Sequence, residues 1–365
     1  MTNTIFRRPC HITALRWSTI AIVFAMVGCA TGGGRTAAPV RGHLLVLNKG
    51  AASASLIDPT NGEMLATMPT GPGPHEVALS PDGRTAVVTN YGVPGEAGST
   101  LTVLDLPTRK ATATIDLAPH RRPHGVAWLP DGRRVAVTLE TDSLVALVDI
   151  PSRRIEATIS TGQALSHMIR VSGDGSYAYV ANIGSGSVTM IDLGGRYVLR
   201  TVPTGAGAEG IALTPDGSEL WVTNRAANTV SVLDAQTLAP LDTLSSADFP
   251  IRIAFTPDGS TALVTNARSG DLRFFDGFSG DSMGVVTMRA DSSLTRGTML
   301  GMEFGAGTGV PIGVIVSPDG RLAYVSNANV DAVTVVDVRA RRVVALLPTG
   351  REPDGVVFVP MTPVP

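Results

Sequence analysis

The feature that most limits the fold of this chain is a short turn motif that returns at a nearly constant spacing. Pro-Asp-Gly, or once Gly-Asp-Gly, occurs at 81–83, 130–132, 173–175, 215–217, 257–259 and 318–320. The final glycines are separated by 49, 43, 42, 42 and 61 residues. Proline fixes φ at the second position of a tight turn, and glycine tolerates the exit of the turn. A period of about 42 residues is typical of propeller blades.

Each unit contains four short segments separated by turn signals. An apolar run such as 210–213 (GIAL) precedes the turn, and a β-rich segment such as 220–224 (LWVTN) follows it. A third segment ends in aspartate, as in 230–234 (VSVLD), and a fourth completes the unit. This order predicts one four-stranded antiparallel sheet per unit.

Two residue types recur at the ends of these segments, and we interpret both as structural. The aspartates that end the third segments should accept hydrogen bonds from their own turns. They are Asp58, Asp105, Asp149, Asp192, Asp234, Asp276 and Asp337. The asparagines that end the second segments are interpreted as turn formers. They are Asn48, Asn90, Asn182, Asn224, Asn266 and Asn327.

The two ends of the repeat region together supply one more unit. Residues 43–48 (HLLVLN) align with the second segments, and residues 354–360 (DGVVFVP) align with the first segments. We therefore predict an all-β fold: a seven-bladed β-propeller of four-stranded antiparallel blades, closed by pairing of the N- and C-terminal strands. The second segments, among them AYVAN, LWVTN and ALVTN, resemble the YVTN-repeat β-propeller family over 43–360. This resemblance implies the fold and says little about function.

Residues 1–28 are predicted to be an export signal of the lipoprotein type. They hold three arginines and no acid, and their apolar stretch 17–27 is too short to span a bilayer. The stretch runs into Cys29 in a sequence that resembles a bacterial lipobox, which implies lipidation of Cys29; an ordinary secretory signal is the alternative. We expect an exported protein, in the periplasm or at the cell surface, with a lipid anchor in the outer membrane. The expected domains are the signal 1–28, a flexible tether 29–42, the propeller 43–360 with an insert at 289–310, and a tail 361–365.

Charge and cysteine content exclude several kinds of partner and site. The net charge is −2 and charged residues make up 16%, which argues against electrostatic binding to nucleic acid or an anionic membrane surface. Both cysteines lie within the first 29 residues, so the propeller has no disulfide and no cysteine-based zinc or nucleophile site. The expected partners are a small-molecule ligand or an envelope protein. Membrane contact is expected through the lipid anchor alone, and the protein is expected to be a monomer.

The candidate site comes from one position of the repeat, at the start of the first segment of each unit. In ring order this position reads Asp354, His75, His124, His167, Glu209, Ile251 and Ile312. Equivalent positions of a closed ring should converge on one mouth of the central channel. Imidazole and carboxylate groups are ligands for divalent transition metals such as zinc, manganese, iron and nickel. We predict that the five polar residues bind a metal. A metal-free polar or acid–base pocket and purely structural histidines are the alternatives.

The extra length in the repeat falls on one face, and it supplies further candidates. The longer loops are 91–99, 119–123 and 289–310, and insertions on one face often mark the binding face of a repeat protein. The glycine-rich insert is interpreted either as a lid over the mouth or as a surface loop. Ligand-binding residues are predicted near the mouth, where arginines would favour an anionic group or would be solvated loop charges. They are Tyr91, Arg225, Arg252 and Arg268.

The function predicted from these patterns is a cell-envelope binding module. It would bind a small ligand or a partner protein in a polar pocket, with a divalent transition metal as the candidate cofactor. The first alternative is a metal-assisted lactonase, hydrolase or lyase that uses Glu209 or Asp354 as a catalytic base. The second is a purely structural or adhesion repeat protein. The sequence contains no phosphate loop, no His-Glu-x-x-His motif and no nucleophile elbow.

Overall fold

The structure is a computed structural model, and it describes residues 41–289 and 309–361. Within these ranges the chain forms seven separate four-stranded antiparallel sheets. The expected signal and tether, and most of the insert 289–310, lie outside the described residues. Among the described residues, no helix combines the length and the apolar character needed to cross a membrane.

In the described ranges, 28 strands follow one another in chain order, with two short 3₁₀ helices, Lys49–Ala51 and Glu140–Asp142, between them. The first fifteen strands are β1 (Gly42–Asn48), β2 (Ser53–Ile57), β3 (Met64–Pro69), β4 (Pro74–Leu79), β5 (Thr85–Val93), β6 (Glu96–Asp105), β7 (Lys110–Asp116), β8 (Pro123–Trp128), β9 (Arg134–Leu139), β10 (Leu144–Asp149), β11 (Arg154–Ser160), β12 (Ser166–Val171), β13 (Tyr177–Asn182), β14 (Ser187–Asp192) and β15 (Tyr197–Pro203). The remaining strands are β16 (Ala208–Leu213), β17 (Glu219–Asn224), β18 (Thr229–Asp234), β19 (Pro240–Ser245), β20 (Pro250–Phe255), β21 (Thr261–Asn266), β22 (Asp271–Asp276), β23 (Ser282–Thr287), β24 (Pro311–Val316), β25 (Leu322–Asn327), β26 (Ala332–Asp337), β27 (Arg342–Pro348) and β28 (Pro353–Pro360).

The first and last strands pair in one blade, which confirms the predicted closure of the ring. β1 pairs antiparallel with β28, with Leu44 opposite Phe358 and Val46 opposite Val356. We call this sheet (β28, β1, β2, β3) blade 1, and blades 2 to 7 follow in chain order from β4–β7 to β24–β27. The seven-bladed, all-β fold is therefore as predicted. Closure leaves no blade with an unpaired inner strand.

Apolar layers between neighbouring blades hold the ring together. Between blades 5 and 6, Trp221 and Phe275 are 1% and 2% exposed and pack in one cluster with Val264. The second strand of each blade is buried on both faces, which explains the continuous apolar runs that the sequence shows there. The fourth strands are largely exposed at the rim.

The recurrent aspartates have the predicted structural role, and the asparagines have a second role besides their turns. The Oδ1 of Asp105 accepts the backbone N–H of Thr108 at 2.8 Å, and every strand-end aspartate accepts a similar bond. The asparagines are fully buried, and some begin a turn as predicted: the carbonyls of Asn182 and Asn266 accept the backbone N–H four residues ahead at 2.9 Å. The Nδ2 of five of them donates to a third-strand hydroxyl at 2.8–3.0 Å, as Asn48 does to Ser55. They fasten the second strand to the third inside the blade.

One segment predicted as a loop is part of the sheet. β5 continues to Val93 and β6 begins at Glu96, so most of 91–99 forms a hairpin instead of a loop. Gly92 pairs with Ala97 and Val93 with Glu96, and Gly95 takes the left-handed φ of +86° that the tight turn requires. The hairpin extends blade 2 beyond the other blades on the side of the channel mouth.

Candidate functional site

The seven positions singled out in the repeat form one ring at the mouth of the channel. Each is the second residue of an innermost strand, and all seven line a single cavity of about 410 Å³. They are Asp354, His75, His124, His167, Glu209, Ile251 and Ile312. We call them the mouth ring. The arc of five polar residues predicted from the sequence is therefore continuous in space, with two isoleucines completing the circle.

Backbone contacts between neighbouring blades fix the mouth ring. The hydroxyl of Thr89 in blade 2 donates to the carbonyl of His124 in blade 3 at 2.8 Å, and Thr265 donates in the same way to Ile312. The residue after the ring position is glycine in four blades. A Cβ on Gly125 would lie 2.6 Å from the carbonyl oxygen of His167, so the next blade can approach only because the side chain is missing.

A second ring of residues is defined by the position that directly follows the recurrent asparagine, or Leu139 in its place in blade 3. Its members, one per blade, are Lys49, Tyr91, Glu140, Ile183, Arg225, Ala267 and Ala328. Blades 1, 2, 3 and 5 have polar residues at this position, and all four line the cavity. We call this set the upper ring. Glu140 and Arg225 of this ring contact His167 and Glu209 of the mouth ring.

On one side of the mouth every charged group has a partner. The Nε2 of His167 lies 2.8 Å from the Oε1 of Glu209, and its Nδ1 lies 3.2 Å from the Oε1 of Glu140. Arg225 donates to the Oε2 of Glu209 at 2.8 Å, and Arg252 donates to its Oε1 at 2.9 Å. We call these five residues the paired half. Glu209 is 2% exposed, so these bonds replace the water that its carboxylate loses on burial.

The pKa values in the paired half follow from these contacts. Burial alone would lower the pKa of His167, but the carboxylates of Glu209 and Glu140 outweigh burial and raise that pKa above its usual value. Burial would raise the pKa of Glu209, but His167, Arg225 and Arg252 together hold it well below its usual range. Both carboxylates therefore favour the protonated form of His167.

The other side of the mouth contains buried polar atoms without partners. His124 is 0% exposed, and neither of its ring nitrogens has a hydrogen-bond partner. The Oδ1 of Asp354, in a residue 4% exposed, has none either. The Nδ1 of His75 lies 2.8 Å from the Oδ2 of Asp354, close enough for an ion pair but out of line for a hydrogen bond. With Lys49, whose Nζ lies 3.3 Å from the Oδ2 of Asp354, these residues form the unpaired half.

Burial dominates the electrostatics of His124. It lowers the pKa of His124 well below the usual value, and the neighbouring His167 and His75 lower it further. His124 is therefore neutral and has one lone pair on its ring. Its ring centroid lies 4.1 Å from that of His75 and 3.4 Å from that of His167, so the three imidazoles form a row.

Tyr91 covers the row of imidazoles and connects the two halves. It lies in β5, and its ring meets those of His75 and His124 edge-on at 5.3 and 5.5 Å. Its hydroxyl donates to Glu140, and the guanidinium of Arg122 lies 4.6 Å above its ring. Burial and the Glu140 carboxylate raise the pKa of Tyr91 well above its usual value, so the phenol stays protonated.

The predicted ligand-binding residues do not all reach the cavity. Tyr91 and Arg225 line it, whereas Arg268 does not and packs on the ring of Phe249 with its guanidinium 4.8 Å away. Arg252 lies below the mouth, 6% exposed, and its Nε donates to Glu76 across the channel at 3.1 Å. Arg252 closes the floor of the cavity and has no free face for an anion.

The predicted metal ligands separate into two groups. His167 and Glu209 bind each other. His75 and Asp354 instead form, with Glu76, a cluster whose donor atoms all lie within 4.8 Å of one another. Sequence reasoning missed Lys49, although the upper-ring position gave a signal, because it is polar in four of the five blades that have a polar mouth-ring residue.

Comparison with known proteins supports the fold and leaves the function open. A family model described as Cytochrome D1 heme domain matches residues 132–265, less than half of the chain. No curated protein matches. Among solved structures, hydrazine synthase of Kuenenia stuttgartiensis has a TM-score of 0.65 at 21% identity, covering 80% of this chain and 96% of that one. A functionally unknown protein from Desulfotomaculum acetoxidans has a TM-score of 0.71 at 15% identity, covering 88% of this chain and 100% of that one. At these identities the likeness shows a shared β-propeller fold.

Proposed function

We propose that this protein is a cell-envelope β-propeller binding module that holds a small polar ligand in the cavity of the channel mouth. The observation that carries the proposal is His124, which is fully buried with both ring nitrogens unpartnered, beside an equally unpartnered oxygen of Asp354. A buried polar atom without a partner costs about 1–3 kcal/mol. A ligand that bonds to these atoms would recover that free energy.

A purely structural role accounts less well for these residues. The recurrent asparagines of the same blades are just as buried, yet the Nδ2 of Asn48 and of Asn90 reaches two hydroxyls each. A buried histidine that served only the stability of the fold would be expected to have such partners as well. His124 is surrounded by other titratable groups and has none.

The enzymatic alternative lacks a suitable base in the paired half. A general base needs a free lone pair and a pKa near the working pH. Both oxygens of Glu209 already accept hydrogen bonds, and its neighbours hold its pKa well below the usual range. Of the two catalytic candidates, Asp354 alone retains a free oxygen, but His75 and Lys49 hold its pKa well below the usual range, which makes it a weak base too. We therefore favour binding over a lactonase, hydrolase or lyase activity.

The match to a heme-domain family raises heme as a ligand, and the residues of the mouth do not fit it. A heme iron needs an axial donor that a flat macrocycle can approach. Both nitrogens of His167 face carboxylates, and His124 is 0% exposed between two other rings. The ring of His75 is enclosed by those of Tyr91 and His124, with centroids 5.3 and 4.1 Å away, which leaves no face for a macrocycle. We derive no heme chemistry for this site.

The envelope location rests on the sequence of residues 1–29. The arginine-rich start, the apolar stretch and Cys29 support export followed by lipidation, and the repeated strings support membership of the YVTN-repeat family. Mass spectrometry of the mature N-terminus tests this part. The proposal expects a lipidated Cys29, and a free N-terminus beyond residue 30 would contradict it.

Native mass spectrometry of the full chain, purified from the envelope of its host, tests the binding function. We expect a bound mass on the wild-type protein that is absent from His124→Leu, because leucine fills the volume and offers no polar atom. His120→Ala is the matched control, since His120 pairs with Asp142 and does not line the cavity. A wild-type protein that carries no mass beyond its own chain would contradict the proposal, and so would a bound mass that persists on His124→Leu.

A further inference from the structure

The unpaired half holds a set of metal-type donors at its centre. His75, Glu76 and Asp354 each present a donor atom within 4.8 Å of the other two, and no other trio of His, Cys, Asp or Glu among the described residues does so. His124, with two unpartnered nitrogens, lies beside His75 at a centroid distance of 4.1 Å. Two imidazoles and two carboxylates make a donor set typical of zinc and neighbouring divalent metals.

The side chains of Lys49 and Arg252 supply the positive charge beside this cluster. The Nζ of Lys49 lies 3.3 Å from the Nε2 of His75 and 3.3 Å from the Oδ2 of Asp354. An ammonium can only donate, so the Nε2 of His75 carries a lone pair that points at Lys49. On the floor, Arg252 donates to the Oε1 of Glu76.

The Lys49 ammonium satisfies this cluster poorly. It makes two long contacts at 3.3 Å and leaves the Oδ1 of Asp354 and both nitrogens of His124 without partners. Lys49 is one of only two lysines in the chain, the other being Lys110 in the exposed strand β7. A lysine reaches its partners through a flexible stem, so its head can leave while its backbone stays in place.

We propose that a divalent transition-metal ion binds to His75, Glu76, Asp354 and His124, and that it enters by displacing the ammonium of Lys49. The proposal rests on the proposed function, because the metal is then the small polar ligand of the cavity. Ligand bonds to zinc are about 2.0–2.2 Å long, so the donors close in by about 1 Å once the ammonium leaves. Lys49 is a tethered competitor that lowers the affinity of the site for metal.

Zinc and cobalt titrations of the full chain, purified with a histidine-free tag, test this inference. We expect one ion per wild-type chain and a visible cobalt spectrum of nitrogen and oxygen coordination. His75→Ala should weaken binding by at least about 100-fold, since even residues that only support metal ligands account for about 10–100-fold. Lys49→Met should bind more tightly by about tenfold or more, because the competing charge is gone while the apolar stem remains.

Matched controls separate the site from surface effects. His120→Ala and Lys110→Met alter the same residue types away from the cluster and should leave metal affinity unchanged. Thermal unfolding of each variant establishes that it is folded, and His75→Ala and Lys49→Met carry the test even if the fully buried His124 cannot be replaced. Equal or weaker metal binding by Lys49→Met would overturn the inference. So would metal binding that survives His75→Ala.

The outcomes also distinguish this inference from the proposed function. A metal-free wild-type chain that carries an organic mass removed by His124→Leu would refute the metal site and keep the binding module. A chain that carries neither metal nor any other ligand, in the wild type and in Lys49→Met, would refute both.

Discussion

The two halves of the channel mouth use the same register of the repeat and reach opposite results. His167 and His124 are second residues of neighbouring inner strands and are both almost completely buried. His167 lies between two carboxylates, whereas His124 has no partner at either nitrogen. The difference teaches that position in the repeat places a side chain at the mouth, and that the contacts around it decide whether the side chain stabilises the fold or remains available to a ligand.

The largest expected effect is on the paired half. Glu209→Ala removes the carboxylate shared by His167, Arg225 and Arg252, and Arg252 is left 6% exposed with only Glu76 to balance it. Removing one partner of a buried ion pair destabilises a protein by about 3–5 kcal/mol. Denaturant unfolding measures the change. Glu96→Ala, on the exposed hairpin, is the control and should stay within about 0.5 kcal/mol of wild type.

Replacing each of the two histidines with leucine tests the difference between the halves most directly. His124→Leu removes two unpartnered nitrogens and should raise the free energy of unfolding by about 1–3 kcal/mol. His167→Leu leaves the buried carboxylates of Glu140 and Glu209 without their shared histidine partner and should lower the free energy of unfolding by a similar or greater amount. The two proteins are compared by denaturant unfolding in metal-free buffer. A loss of stability in both would show that the halves do not differ.

The pH dependence of stability should differ in sign between the two histidines. The raised pKa of His167 means that its contribution is complete below pH 6.5 and is lost as the pH rises through the folded-state pKa. The pKa of His124 is lower in the folded chain than in the unfolded chain. Below pH 6.5 the unfolded chain therefore binds a proton at His124 that the folded chain does not bind, and the free energy of unfolding falls as the pH drops.

Unfolding curves recorded from pH 5 to pH 9 check this prediction. Compared with the wild type, the free energy of unfolding of His167→Leu should change less with pH above pH 6.5. That of His124→Leu should change less with pH below pH 6.5. Each histidine contributes at most about 1.4 kcal/mol per pH unit. The reverse assignment of the two slopes would contradict the pKa directions.

The smallest expected effect is at Tyr91, which touches both halves. Tyr91→Phe removes the hydroxyl that donates to Glu140 and keeps the ring that covers His75 and His124. We expect a loss of about 1 kcal/mol, the usual net value of one hydrogen bond. A double-mutant cycle with Glu140→Gln measures the coupling, and independent effects of the two substitutions would show that the bond does not contribute.

The sequence predicted the fold because the repeat carries local information. Each Pro-Asp-Gly turn and each strand-end aspartate is satisfied within its own unit, as the bond from Thr108 to Asp105 illustrates. The closing pair β1 and β28 followed from the strand type at each end of the repeat. The mouth ring could be predicted as well, because equivalent positions of a closed ring share one distance from the axis.

The sequence alone determined the propeller, its closure and the residues that face the channel mouth. Only the tertiary structure decided their partners. Glu76 and Arg252 are 176 residues apart and meet because their blades face each other across the channel. Lys49 reaches Asp354, 305 residues away, because ring closure pairs β28 with β1, and it reaches His75 in the neighbouring blade 2. Local patterns are set by neighbours in the chain, whereas the charge and hydrogen bonding of a buried side chain are set by neighbours in space, which no repeat spacing encodes.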